Sequence, residues 1–302
     1  MRDQAGVTDA ALRALRVERP DGAVLATEVA GDARHPLVLL VAGAECSMDW
    51  WRPEFCGAIV ERGFRVARYD QRGTGRTTRG RAGERLGGLG TAVDDAIAVL
   101  EAVAEVDGCR AQAHWLGLSA GGFAVQVVAI EHPGLVLSLT LIATRPASPY
   151  DPDVDLPPVS ERMMRAWADP VPEPDWADEA SVVEYHVDVD RAYAGTEFDE
   201  AHERAIWTAT VRRSPDRHRD EPEPDVIVEP ARWRERLSEI RVPTTVLHGT
   251  DDPLFPIGNG EALAADIPGA RFVALDGVGH ELPPRAWPPV IAAVTASARA
   301  VR

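Results

Sequence analysis

Ser119 lies in the segment Gly117-Leu118-Ser119-Ala120-Gly121, a G-x-S-x-G pattern. In such a segment a sharp strand-to-helix turn projects the serine hydroxyl, and the flanking glycines lack the Cβ atoms that would hold the two backbones apart. A serine is a weak nucleophile until a base takes its proton and a carboxylate holds that base. In chains with this turn the acid and the histidine follow the serine, acid first, each just beyond a later strand. After the strand read at Thr244 to His248 comes Gly249-Thr250-Asp251-Asp252-Pro253, and after that at Arg271 to Leu275 comes Asp276-Gly277-Val278-Gly279-His280. Of eight histidines, His280 alone joins a place after the last strand to a glycine-rich loop able to reach across the sheet edge. His248 ends a strand and reads as buried, His114 lies within a strand, and His132 precedes Pro133 at a helix end. For the acid, Asp252 is favoured and Asp251 is its rival, since either adjacent carboxylate could accept the histidine hydrogen bond and turn geometry decides. The chemistry these residues would perform is attack on an ester-like carbonyl, followed by release of the acyl group to water.

Such side chains need a scaffold, and the apolar periodicity describes one. Val24 to Ala30 and Leu37 to Ala42 read as a hairpin leading into a buried strand, with a turn at residues 31–36. Helical patterns follow Pro53 as far as Glu61, and run from Thr91 to Val106 and from Ala120 to Glu131. Between them Phe64 to Tyr69, Ala111 to Leu116 and Leu135 to Ile142 read as short apolar strands. Strands that alternate with helices and are apolar along most of their length indicate an α/β fold, a parallel sheet with helices on both faces. From Arg145 to Ile240 the character changes to proline, acid and tryptophan among short helical patterns. That stretch reads as an inserted helical cap at 145–240, leaving 1–144 and 241–302 as the core domain. The sheet pattern then resumes, with strands at Thr244 to His248 and Arg271 to Leu275, a helix from Asn259 to Ile267 between them and a last helix near Val290 to Ala300.

Composition excludes several alternatives. Every basic residue counted is Arg, so Schiff-base chemistry, Ser-Lys hydrolysis and a P-loop lysine are ruled out. Cys46, Cys56 and Cys109 are odd in number and widely spaced, which fits buried or partly buried free thiols better than a disulfide framework or a zinc knuckle. No metal or organic cofactor is implied, because H-E-x-x-H, cysteine clusters and a strand-to-helix G-x-G-x-x-G are all missing. A formal net charge of −16 would repel phosphate backbones and anionic lipid, so neither nucleic acid nor membrane is expected as a partner. The nearest approach to a basic patch, Arg212-Arg213 with Arg217 and Arg219, is surrounded by acids and reads as a solvated, mixed-charge surface loop. No apolar run approaches the roughly 18 residues of a spanning helix, and Met1 to Gly6 lack a secretory start, so the chain is expected to be cytoplasmic.

With these residues in view, the chain resembles the α/β-hydrolases, and most closely the aclacinomycin methylesterase branch. The resemblance covers nearly the whole length. It rests on Leu39-Leu40-Val41-Ala42-Gly43-Ala44, Tyr69-Asp70-Gln71-Arg72-Gly73-Thr74-Gly75-Arg76, the serine turn, His248-Gly249-Thr250-Asp251-Asp252-Pro253 and Gly277-Val278-Gly279-His280. It implies the α/β-hydrolase fold and takes Asp252, fourth from Gly249 counted inclusively, as the triad acid. It also implies an oxyanion hole made by the backbone N–H groups of Ala44 and Ala120. Ala42 stands before Gly43 where many relatives carry histidine, a departure that bears on the Ala44 donor. By the same resemblance Asp70 braces a turn rather than reacting, and the substrate is a small-molecule carboxylic ester, such as the methyl ester of a polycyclic polyketide or another apolar natural product. The same triad could serve a lactonase, thioesterase, perhydrolase or C–C bond hydrolase, and the same fold a non-hydrolytic ligand receptor or cyclase. Trp50, Trp51 and the tryptophans of the cap could wall an apolar pocket or pack in the core.

Overall fold

The computed structural model describes residues 12–78, 87–147, 155–214 and 233–300. Met1 to Gly6, Arg217 and Arg219, on which expectations were placed above, lie outside them. Eight strands form one sheet: β1 (Arg13–Glu18), β2 (Val24–Ala30), β3 (Leu37–Val41), β4 (Arg65–Tyr69), β5 (Ala113–Leu118), β6 (Val136–Ile142), β7 (Thr244–Gly249) and β8 (Arg271–Leu275). Their order is β1-β2-β4-β3-β5-β6-β7-β8, antiparallel at β1-β2 and β2-β4 and parallel from β4 onward.

The central strands are buried along their whole length because helices cover both faces. Strand alternation divides their side chains. Leu39, Val41, Trp115, Leu139 and Val246 pack into one core with Val99, Leu100, Phe123 and Leu263. Val38, Leu40, Leu116, Leu118 and Leu247 point the other way, onto Phe55, Ile59, Val290 and Val294. The first core lies beneath α2 (Leu89–Asp107), α3 (Ala120–Glu131) and α8 (Gly258–Asp266), the second beneath α1 (Pro53–Val60) and α9 (Trp287–Ala300). Trp51 is fully buried and stacks on Phe55, so its role is packing.

Two sequence expectations are corrected. The runs at 24–30 and 37–41 do not form a hairpin, because β4 lies between them. The fully apolar Leu37–Val41 needs partners on both sides, which β4 and β5 supply in parallel. The hairpin is instead β1-β2, and β1 is an exposed edge strand whose polar residues hide its alternation. Second, Cys109 is exposed, since it follows the left-handed Gly108 that ends α2, whereas Cys56 is buried and Cys46 half-buried.

Between β6 and β7 the described residues form α4 (Glu161–Ala168), α5 (Glu179–Tyr193), α6 (Glu200–Arg213) and the short α7 (Trp233–Arg236). Asp178 and Asp199 cap α5 and α6 with side-chain hydrogen bonds to Ala180 and His202 N–H groups. These two helices bury a small apolar cluster of their own, Val182, Val183, Val187 and Val211, with Trp176, Phe198 and Trp207 against it. Among the described residues no helix is long and apolar enough to cross a membrane.

Candidate active site

Ser119, Asp252 and His280 each follow the carboxyl end of a parallel strand, β5, β7 and β8 respectively, where an open α/β sheet presents its ligand-binding edge. Ser119 joins β5 to α3 with φ 52° and ψ −119°, a backbone conformation of order 1–3 kcal/mol above the ordinary wells. Its surroundings hold it there. The Ser119 N–H donates to Ile142 O at 2.9 Å, while Ser119 O accepts from Gly122 N–H and from the Thr144 hydroxyl, both at 2.8 Å. A Cβ on Gly121 would strike the carbonyl oxygens of Val41 and Ala42, and one on Gly117 would strike the backbone of Gly121 and Gly122. The two glycines flanking the serine are therefore required by the contact of β3, β5 and α3.

Ser119 Oγ donates to His280 Nε2 at 2.8 Å, and His280 Nδ1 donates to Asp252 Oδ2 at 2.8 Å. This assigns the tautomer, because an ionised Asp252 accepts only. Asp252 is buried, and its other oxygen accepts from Leu254 N–H at 2.9 Å and Phe255 N–H at 2.8 Å. Burial works against its ionisation, but the facing His280, with its hydrogen bond, and the neighbouring His248, whose Nε2 lies 3.4 Å from Oδ2, outweigh it and hold the carboxyl well below the usual range. Asp251, the rival, turns away to Thr196 N–H at 3.2 Å and the Thr250 hydroxyl at 3.0 Å. It is thus Asp252 whose carboxylate meets His280.

Ala120 is the first residue of α3, and an N–H there has no partner within the helix. Ala44 follows β3, and the Gly43 before it is packed close to the Ser119 Cβ. Gln71 Nε2 donates to Gly43 O at 3.0 Å and Cys46 N–H to the same oxygen at 3.2 Å. Because a trans peptide points its C=O and N–H in opposite directions, this grip turns the Ala44 N–H the other way. Aromatic edges line the histidine: Phe255 meets the His280 ring edge-on at 5.3 Å, and Tyr193 lies 6.3 Å from it.

Several contributors escaped the sequence reading. His248 is buried as expected, but its Nε2 also donates to Phe255 O at 2.7 Å and so braces the turn that carries Asp252. Arg213 is no solvated loop residue: its guanidinium pairs with Asp49 and with the fully buried Asp70. A buried carboxylate attracts the nearest cation out of solvent, and no local pattern in the chain announces a pairing 143 residues long. Asp70 does brace its turn, accepting from Met48 N–H and Arg76 N–H, both at 2.9 Å. Among the described residues no three His, Cys, Asp or Glu side chains gather as metal ligands would.

A model of the alpha/beta hydrolase fold family matches residues 35–283. The chain belongs to the α/β-hydrolase fold family. This hydrolase-fold chain is 30% identical over 299 residues to the rhodomycin D methylesterase DnrP of Streptomyces peucetius, an alignment covering 93% of it and 96% of that protein. Against DauP, the rhodomycin D methylesterase of Streptomyces sp. (strain C5), it is 30% identical over 303 residues, 94% of this chain and 98% of the other. Among solved structures, a hydrolase from Pseudomonas aeruginosa PA01 superposes on this family member with a TM-score of 0.65 at 27% identity, over 95% of this chain and 99% of that one. The esterase RhEst1 from Rhodococcus sp. ECU1013 gives 0.69 at 20% identity, over 96% and 99% of the two chains, a likeness of fold.

Proposed function

We propose that this chain hydrolyses a carboxylic ester through an acyl-enzyme on Ser119. The observation that carries the reading is the unbroken hydrogen-bonded chain from the Ser119 hydroxyl through His280 to the buried Asp252. His280 takes the hydroxyl proton as Ser119 Oγ attacks the carbonyl carbon, and Asp252 stabilises the imidazolium that forms. The N–H groups of Ala44 and Ala120 receive the developing oxyanion, each donor contributing about 3 kcal/mol to lowering the barrier. Collapse expels the alcohol, to which His280 returns the proton. Water activated by the same imidazole then attacks the acyl-enzyme and releases the acid.

The described helices between β6 and β7 act as a cap over this centre, with α6 resting on the turn after β3 and residues 193–196 on the loop before His280. Two supports point to a methyl ester of an apolar aromatic natural product: the similarity to the two rhodomycin D methylesterases, and the rings of Phe255 and Tyr193 beside the imidazole. Labelling by a fluorophosphonate followed by peptide mapping tests the nucleophile, and the adduct is expected on Ser119. Methyl esters of aromatic acids and short p-nitrophenyl esters are expected to turn over. If both are untouched while a thioester or a β-diketone is cleaved, the ester reading is wrong.

A further inference from the structure

Residues 193–196, the last residue of α5 and the start of its connection to α6, lie across the two loops that carry Asp252 and His280. The His280 N–H donates to Tyr193 O at 2.8 Å, and Thr196 N–H donates both to Gly277 O and to Asp251 Oδ2 at 3.2 Å. Gly195 and Gly279 touch backbone to backbone, so a Cβ on either would strike the other segment's main chain. Into this junction Glu281 sends its side chain. Only 4% exposed, it accepts from Gly195 N–H at 3.0 Å and from Gly279 N–H at 3.5 Å, with Arg285 as a more distant counter-ion at 3.6 Å.

We infer that Glu281 is a positioning residue which, by tying the Gly195 N–H to the loop before His280, ties the α5–α6 connection to the orientation of the imidazole. The inference rests on the triad reading above. Gly277 and Gly279 give the His280 loop a backbone with little conformational preference of its own, so its shape has to be imposed from outside. A carboxylate bound to a backbone N–H is a charge-assisted bond, stronger than a neutral one, and here it is shielded from water. The strap holds Tyr193 O against the His280 N–H and so fixes the main chain from which the imidazole reaches both Ser119 and Asp252. Displacement of a catalytic group by about 1 Å costs on the order of 100-fold in rate, which gives this second layer its leverage. Glu281 itself touches neither the serine nor the ring nitrogens, so its effect passes through His280.

The test compares E281A and E281Q with the parent enzyme, using p-nitrophenyl butyrate. End-point titration with a fluorophosphonate first counts the sites with a reactive Ser119, and kcat and KM are expressed per titrated site. A parent that takes no label overturns the triad reading itself; a labelled parent isolates the question of Glu281. In E281A kcat is expected to fall about 10- to 100-fold with KM within about threefold, as for a displaced catalytic group. E281Q keeps an oxygen for the Gly195 N–H and is expected to recover most of that loss. Undiminished kcat in E281A, a loss confined to KM, or E281Q falling as far as E281A would each overturn the inference. Hydrogen exchange on the unmodified enzyme tests the strap with no substitution: the peptide carrying Gly195 is expected to exchange as slowly as the one carrying His280. Exchange of the Gly195 peptide within seconds counts against it, whether or not E281A folds.

Discussion

Arg213 Nε donates to Asp49 Oδ2 at 2.8 Å, while another nitrogen of the same guanidinium meets Asp70. Nearby the Ser47 and Thr210 hydroxyls are 2.9 Å apart, so the last turn of α6 is tied at several points to the turn that leads out of β3. That turn begins at Gly43 and Ala44, which makes α6 a brace for one side of the proposed oxyanion hole.

Removing Arg213 leaves Asp70, which has no solvent exposure, as a buried charge without its cation. Breaking a buried pair from one side typically costs about 3–5 kcal/mol. Arg213→Ala is therefore expected to lower the free energy of unfolding by about that amount in a denaturant titration, and the Arg213→Ala/Asp70→Asn double variant to lose less than the single one. Additive losses in the double variant would contradict the pairing.

The two adjacent aspartates are expected to behave very differently. Asp252→Asn keeps the shape but upsets the tautomer of His280, and kcat is expected to drop on the order of 10³- to 10⁴-fold. Asp251→Asn removes only the contacts to Thr196 and Thr250, and kcat should stay within about tenfold of the parent. Steady-state kinetics on one methyl ester distinguishes them, and equal losses would count against Asp252 as the acid.

Ser119→Ala, His280→Ala and the double variant are expected to lose activity by similar factors, about 10⁵ or more, because nucleophile and base act as one unit. A double variant whose loss is the product of the single losses would mean that the two residues act independently.

The helices between β6 and β7 carry a pH dependence of their own. Glu203 on α6 is 1% exposed and faces Asp190 on α5 and Glu281 after His280; burial, and then the neighbouring carboxylates, push it up, and burial pushes Asp190 and Glu281 up too. A carboxyl raised in the folded state gives stability that is full below the unfolded value near 4 and is lost as pH climbs towards neutrality. Asp252 works in the opposite sense, because its depressed carboxyl gives stability present above about 4 and lost as pH falls. Melting temperature is thus expected to peak in mild acid and decline towards pH ~8. Glu203→Gln, which mimics the protonated form, is expected to flatten the decline and to be the more stable of the two at pH ~8. Parallel melting curves for parent and variant across that range would rule the cluster out as the cause.

Much of the scaffold was legible in the chain, and the reason is local. Leu37–Val41 is apolar throughout because both its faces are covered, Thr244–Gly249 is buried along its whole length around Val246 and Leu247, and Ala120–Glu131 begins and ends where its helical pattern does. Strand order was not legible: nothing in the apolar runs says that β4 slips between β2 and β3, since that choice depends on which faces the helices leave free. Arg13–Glu18 was missed because an edge strand half in water carries too few apolar residues to show its period.

The sequence by itself determined the chemistry on offer: a serine between glycines that the backbone contacts require, a histidine after the last strand, and two aspartates after the one before it. Those features are short-range, set by sterics at a turn and by position relative to strands. Only the tertiary structure decided that Asp252 rather than Asp251 faces His280, because both precede the same proline and the turn alone rotates one inward. Only it, too, brought Arg213 to Asp70 and Glu281 to Gly195. Both pairings join segments far apart in the chain, and they form because a buried charge or N–H must find a partner wherever the packed fold supplies one.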